Sequence, residues 1–281
     1  MRILIVLSIL LIVFLFLDKK NQNSIPNSIP ISTSENFSNN EIEPSIELVD
    51  ISDLSGLKKY VINLQQTYEG RHRLDKIKLL SVREDLFRNV EIYPGIYGKT
   101  YDYRNELEDR IITSQWDYGL WKNQNSKMIS MSKGEIGCML SHYNLWKKIL
   151  ESQKPALILE DDAIDIHDNF YNQYKHYIYH LPKDFDIFLL GFWLHKGKDG
   201  DIVNPHIYRT KNFVLCHAYI ISPKGIQKLM NLLPIDMPLD SWLSKHSDKL
   251  NIYNHSLFNA NNHSQLIKQR REFKQIRNTN N

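Results

Sequence analysis

A helical pattern that runs into proline and then, with no linker, into a buried strand constrains the centre of this chain. Ile136, Met139, Leu140, Tyr143, Trp146 and Leu150 recur at helical spacing, which predicts one apolar face over 134–151. Ser132 can cap that helix, with Glu135 reaching back as a capping box. Pro155 prevents continuation, because proline lacks an N–H and restricts the residue before it. Ala156-Leu-Ile-Leu-Glu160 follows at once, an apolar run of strand length that ends in Glu160-Asp161-Asp162.

The flanking sequence repeats the alternation. Strands are predicted at 59–64, 90–93, 186–190 and 213–221, with Gly191 stopping the third. Helices are predicted at 71–80, 168–180 and 223–232. Strand–helix alternation implies an α/β domain with a mixed, mostly parallel sheet flanked by helices. Ligands of such sheets bind outside the carboxyl ends of the strands, where the three carboxylates stand.

The ends of the chain read differently. Ile3 to Leu17 is apolar apart from Ser8, with Arg2 before it and Lys19-Lys20 after it. As helix it would span roughly 22 Å, short of a ~30 Å hydrocarbon core. Three readings stay open: a short signal anchor over residues 1–20, a cleaved signal peptide, or a buried helix. The anchor is preferred, since no small-residue cleavage site follows Leu17. Residues 21–56 are rich in Asn, Ser, Pro and Glu and read as a flexible stalk. The folded domain is expected over 57–260, and 261–281 reads as a basic, solvated tail. With 35 basic against 32 acidic residues, the chain shows no footprint of a nucleic-acid binder. Its two cysteines, Cys138 and Cys216, exclude a disulfide framework; they are expected to be buried thiols, with a mutual bridge left open.

Three adjacent carboxylates repel one another unless a cation compensates. In a strand, 160 and 162 point to one face and 161 to the other. Asp162, with Glu160 beside it, can therefore hold a hard divalent cation such as Mn²⁺ or Mg²⁺, while Asp161 is left to accept hydroxyl hydrogen bonds. The competing reading is an acidic loop that caps the next helix. His176 and His180 stand i, i+4 on a helix, a spacing that could bind zinc, but a Tyr-rich amphipathic helix explains them better.

Ser132-Lys-Gly-Glu-Ile-Gly-Cys-Met-Leu-Ser-His142, then Trp146, then Leu157-Ile-Leu-Glu-Asp-Asp162, closely resembles glycosyltransferase family 25. Val61-Ile-Asn-Leu64, Phe185 to Gly191, His217 to Gly225 and Pro238-Leu-Asp240 resemble further blocks of that family, in order. The resemblance implies a GT-A-like nucleotide-sugar fold in a single catalytic domain, a UDP-sugar donor and usually Mn²⁺. The implied reaction is inverting transfer of a hexose, galactose or glucose, to a glycan or protein hydroxyl, collagen-like acceptors included. It supports Glu160 and Asp162 as metal ligands and Asp161 as a donor-binding residue. His142 is expected either to contact donor phosphate or sugar, or to be a core histidine. Arg71 and Arg73 are expected either to reach the diphosphate or to form a solvated helix face.

For the base that deprotonates the acceptor, Asp240 matches the Pro-x-Asp segment and Asp236 is the second choice. Asp240 can equally be an N-cap for a helix starting at Ser241. The opening loop departs from the family: Gln65 replaces a common Asp, and Gly70 interrupts an Arg-rich run. An inactive glycan- or partner-binding module is therefore the alternative, although the intact acidic triplet argues against it. Trp116, Tyr118 and Trp121 are either an acceptor rim or ordinary packing. With three N-glycosylation sequons, at Asn36, Asn254 and Asn262, the expected placement is a single-pass type II membrane protein with its catalytic domain in the secretory (ER/Golgi) lumen.

Overall fold

The computed structural model describes residues 51–122, 124–194, 200–255, 258–259, 262–263 and 266–269. The anchor over 1–20, and the stalk up to residue 50, lie outside the described residues. Among the described residues no helix is long and apolar enough to cross a membrane. The stalk expectation fails at its end: Leu54 is buried and the Tyr174 hydroxyl donates to the Ile51 carbonyl at 2.6 Å.

The chain opens with β1 (Lys58–Asn63), α1 (Tyr68–Arg83) and β2 (Glu91–Pro94). A peripheral stretch follows, with α2 (Arg104–Glu108), β3 (Gln115–Asp117), α3 (Tyr118–Trp121) and β4 (Met128–Ser130). The central unit is α4 (Lys133–Ser152), β5 (Ala156–Glu160), β6 (Asp165–Ile166), α5 (Phe170–His180) and β7 (Ile187–Leu194). Then come β8 (Gly200–Asn204), β9 (Ile207–Thr210), β10 (Phe213–Ile221), α6 (Pro223–Met230) and α7 (Leu239–Lys245). The chain closes with β11 (Ile252–His255), β12 (Phe258–Asn259), β13 (Asn262–His263) and β14 (Ile267–Lys268).

Eight strands form one sheet in the order β2-β1-β5-β10-β7-β11-β9-β8. β1 pairs parallel with β2 and β5, and β7 with β11; β10 and β9 run against the other strands. The domain is thus a single Rossmann-like α/β unit with a mixed, largely parallel sheet. Alternate strand residues feed two cores. Tyr60, Ile62 and Ile158 face α4, α6 and α7, while Val61, Leu157 and Leu159 face α1 and α5. Such two-sided burial is why the strands read as apolar runs.

The capping box on α4 forms as expected: Ser132 Oγ accepts from Glu135 N at 3.1 Å, and Glu135 Oε2 accepts from Ser132 N at 2.6 Å. Trp116 is buried, and Tyr118 and Trp121 pack with it against the α4-side core, which favours the packing reading. Cys138 and Cys216 are free thiols, so no bridge joins them. Gly191 does not end its strand. β7 passes through it to Leu194, and a Cβ there would meet the His217 ring at 2.4 Å. The glycine marks a close approach instead of a turn. The C-terminal tail also differs from expectation. Leu266 and Ile267 are fully buried, and β14 pairs antiparallel with β6.

Gly98 and Gly137 let the loop after β2 lie backbone to backbone on the first turns of α4. A Cβ on Gly137 would stand 2.6 Å from the Ile96 carbonyl oxygen and 2.7 Å from Gly98 N; Gly134 has nothing nearer than 3.8 Å. Gly137→Ala is therefore expected to cost about 1–3 kcal/mol of stability through overpacking. Gly134→Ala should leave stability unchanged or raise it by up to about 1 kcal/mol. Urea unfolding midpoints of the two variants check this, and equal losses would contradict the packing account.

A second expectation concerns acid. His255 is fully buried, and burial pushes its imidazole down to about 3. The folded state keeps it neutral, whereas the unfolded chain takes up a proton below about pH 6.5. Stability should fall as pH drops below about 6.5, by up to about 1.4 kcal/mol per pH unit from this residue. His255→Gln should flatten that limb in pH-dependent unfolding.

Candidate active site

Asp161 is the best-anchored group at the end of β5. Its Oδ2 accepts from Asn63 Nδ2 at 2.7 Å and from Leu64 N at 3.4 Å; its Oδ1 accepts from an Arg73 guanidinium nitrogen at 2.6 Å. Burial pushes its carboxyl above the usual range despite Arg73. Asp161 is thus largely engaged by the protein, with both donors from the β1 end on Oδ2 and one lone pair of Oδ1 left beside Arg73. β5 ends at Glu160, and the two residues after it form a turn that swings Asp161 toward α1.

The same atoms explain the unusual opening loop. Asn63 Nδ2 also donates to the Gly70 carbonyl at 2.8 Å, and the Thr67 hydroxyl caps α1 by accepting from Gly70 N at 2.9 Å. A Cβ on Gly70 would sit 1.9 Å from the Leu64 carbonyl oxygen. Gly70 is demanded by this close approach, so its departure from the family pattern is structural. Arg71 points elsewhere: it is exposed and donates to the Gln65 carbonyl at 3.3 Å. Of the two arginines, only Arg73 joins the acidic cluster.

Asp162 accepts from Gln269 Nε2 at 2.8 Å and lies 3.8 Å from Arg73. Its other oxygen, Oδ1, is buried without a hydrogen-bond partner. Burial, and then the Glu160 carboxylate, push Asp162 up to about 7. Glu160 behaves differently. Burial opposes its charge, but His142, then His217 and Arg73, outweigh it and hold Glu160 below the usual carboxylate range. A buried oxygen lacking a partner beside an ionised carboxylate is an arrangement that could hold a hard divalent cation.

His142 is a buried residue on α4 whose Nδ1 lies 2.7 Å from the Tyr219 hydroxyl. Trp146 Nε1 donates to that same hydroxyl at 2.9 Å. An indole N–H can only donate, so the Tyr219 O–H is assigned to His142 Nδ1. The His142 proton then sits on Nε2, which faces Glu160 at 3.6 Å. His142 is therefore oriented from the core and presents Nε2 to the acidic cluster. Cys138, one turn earlier, has its thiol 3.9 Å from Glu160, and burial pushes that thiol well up.

Asp240 is not the N-cap of α7; the helix begins at Leu239 with Pro238 in that place. Asp240 Oδ2 accepts from Leu215 N at 2.9 Å and Oδ1 from Ser241 N at 2.7 Å. The first bond holds Leu215 at φ 58, within the irregularity of β10 that precedes Cys216 and His217. Burial first, and then the Asp240 and Glu160 carboxylates, push the Cys138 and Cys216 thiols up. Asp236 is instead ion-paired with Lys245 at 2.6 Å.

A cavity of about 460 Å³ adjoins the cluster, between the first turn of α1 and a loop carrying Tyr97 and Lys99, with Arg73 and Asp161 in its wall. Its wall sets Arg73, Lys99 and the α1 N-terminus against the carboxylates of Glu69 and Asp161. Asn63, Gly70, Lys99, Tyr219 and Gln269 were not marked as site residues by sequence. Asn63 and Gly70 carried a signal, as the Asn-Leu pair and the broken Arg run. Gln269 carried none, since it arrives from 107 residues away.

Comparison with known proteins finds the following relatives. A procollagen lysyl hydroxylase and glycosyltransferase of Acanthamoeba polyphaga mimivirus is 25% identical over 186 residues, 62% of this chain and 19% of the relative. Procollagen galactosyltransferase 1-A of Xenopus laevis is 26% identical over 208 residues, 70% of this chain and 32% of the relative. The chain therefore spans about a fifth to a third of these relatives. Among solved structures, a UDP-glucose pyrophosphorylase complexed with UDP-glucose superposes over 76% of this chain and 92% of its own, at a TM-score of 0.37 and 13% identity. The sequence profile of glycosyltransferase family 25 (LPS biosynthesis protein) matches residues 57–243, most of the described domain, and the chain belongs to that family.

Proposed function

We propose that this glycosyltransferase moves a hexose, galactose or glucose, from a UDP-sugar to a hydroxyl of a glycan or protein, with inversion and with a divalent metal. The observation that supports this best is the partnerless buried oxygen of Asp162, next to Glu160 and near a cavity that carries Arg73 and Lys99. Glu160 and Asp162 would hold Mn²⁺ or Mg²⁺, which supplies positive charge against a leaving diphosphate. Arg73 and Asn63 fix Asp161, and through it the α1 N-terminus that lines the cavity. His142 presents an N–H toward Glu160.

Asp240 is the proposed base. Its Oδ2 accepts a single main-chain N–H and retains a lone pair for an acceptor hydroxyl, while Oδ1 is taken by the Ser241 N–H and hydroxyl. Asp236 is the weaker candidate, because its carboxylate is occupied by the ion pair with Lys245. The relatives' names suggest collagen-like acceptors. The N-terminal segment over residues 1–20 is proposed as a type II anchor that sets the domain in the secretory lumen.

The test is a screen of UDP-sugars with Mn²⁺ for UDP release, with and without EDTA. Turnover of one donor, abolished by EDTA, is expected. Binding of a donor with no turnover across acceptors would favour a binding module. Asp240→Asn should lower kcat by about 10²-fold or more while leaving donor KM within a few-fold. Asp236→Asn should keep activity within about threefold, and the reverse ranking would move the base to Asp236.

A further inference from the structure

His176 and His180 point from successive turns of α5, outside the face that buries Phe170, Tyr174, Tyr177 and Ile178. Neither is needed for core packing. The structure adds a third imidazole that the sequence did not connect to them. His206, in the turn between β8 and β9, places Nδ1 at 2.9 Å from His176 Nε2. The ring centroids of His176–His180, His176–His206 and His180–His206 stand 4.9, 4.3 and 4.2 Å apart. One ligand nitrogen from each ring lies within 4.8 Å of the others.

The turn that carries His206 is held in place by Asn204. Its amide donates to the His180 carbonyl at 3.0 Å, and its carbonyl oxygen accepts from His206 N at 2.9 Å. One side chain thus ties the last turn of α5 to the backbone of the third histidine. This arrangement is independent of the acidic cluster. β9 lies four strands along the sheet from β5, roughly 19 Å at ordinary strand spacing.

We propose that His176, His180 and His206 form a zinc site, with a fourth position open to solvent. Neutral imidazole is a preferred Zn²⁺ ligand, and three of them with a water complete a tetrahedron. Zn–N bonds of 2.0–2.1 Å require nitrogens about 3.3 Å apart. The observed 2.9 Å pair has to open by a few tenths of an ångström, and the third nitrogen has to close in. His176 is exposed and the other two are half-buried, so small rotations suffice and an ion has a path in. The His176–Xaa₃–His180 pair has the i, i+4 spacing that lets two helical histidines share one ion. The bound ion would brace the edge hairpin β8–β9 against α5.

The test uses the intact chain, stripped of metal and titrated with Zn²⁺ against a chromogenic chelator. An equivalent of Zn²⁺ is expected that survives Asp162→Ala. His206→Gln and His180→Gln should each weaken it at least tenfold, and Asn204→Ala, which removes no ligand, by about tenfold. Co²⁺ in the same site should give the strong visible bands of tetrahedral nitrogen ligation, without the near-ultraviolet band of a thiolate from Cys138. The thermal midpoint should rise with Zn²⁺ in the parent chain and not in His206→Gln. Zn²⁺ binding that is unaffected in folded His206→Gln and His180→Gln, or a thiolate band that vanishes with Cys138→Ser, would overturn the proposal.

Discussion

A single buried carboxylate, Asp161, joins the two halves of the site. It takes donors from β1, from the loop after β1 and from α1, and it grows from the end of β5. A buried charge is costly unless paired and hydrogen-bonded, so these partners are obligatory. Their convergence fixes the α1 N-terminus against the turn that carries Asp162. It also leaves Glu160 and Asp162 as the carboxylates with capacity to spare. The division of labour within three consecutive residues is thus a matter of which partners each one meets.

Some of this was legible in the residues. The α4–β5 unit and β10 were readable because hard boundaries frame them: Ser132 and Glu135 at the start of α4, Pro155 before β5, and Pro223 after β10. The Glu160-Asp161-Asp162 triplet pointed to the site because three carboxylates crowd the carboxyl end of an apolar strand, where sheets of this kind bind their ligands. The roles inside the triplet were not legible. Strand alternation does not continue past Glu160, where the backbone turns.

Long-range placement was the other gap. Burial on both faces looks alike in parallel and antiparallel strands, so nothing in Phe213–Ile221 announced that β10 runs against its neighbours. The basic composition of the tail hid Leu266 and Ile267, two fully buried residues that return to β6 and bring Gln269 to Asp162. His206 stands in a turn 26 residues beyond His180, a separation that no local pattern can bridge. By contrast, Gly70 was visible as an anomaly, whereas Gly191 read as a strand stop; close approach is what each of them permits.

The central claim is that the acidic cluster holds a metal that in turn holds a nucleotide diphosphate. Calorimetric titration of UDP into the intact chain tests it without knowledge of the acceptor. Binding is predicted in the presence of Mn²⁺, with loss on chelation and in Asp162→Ala while the fold is kept. UDP binding that is indifferent to metal and to Asp162, or absent under every condition in a folded chain, would contradict it.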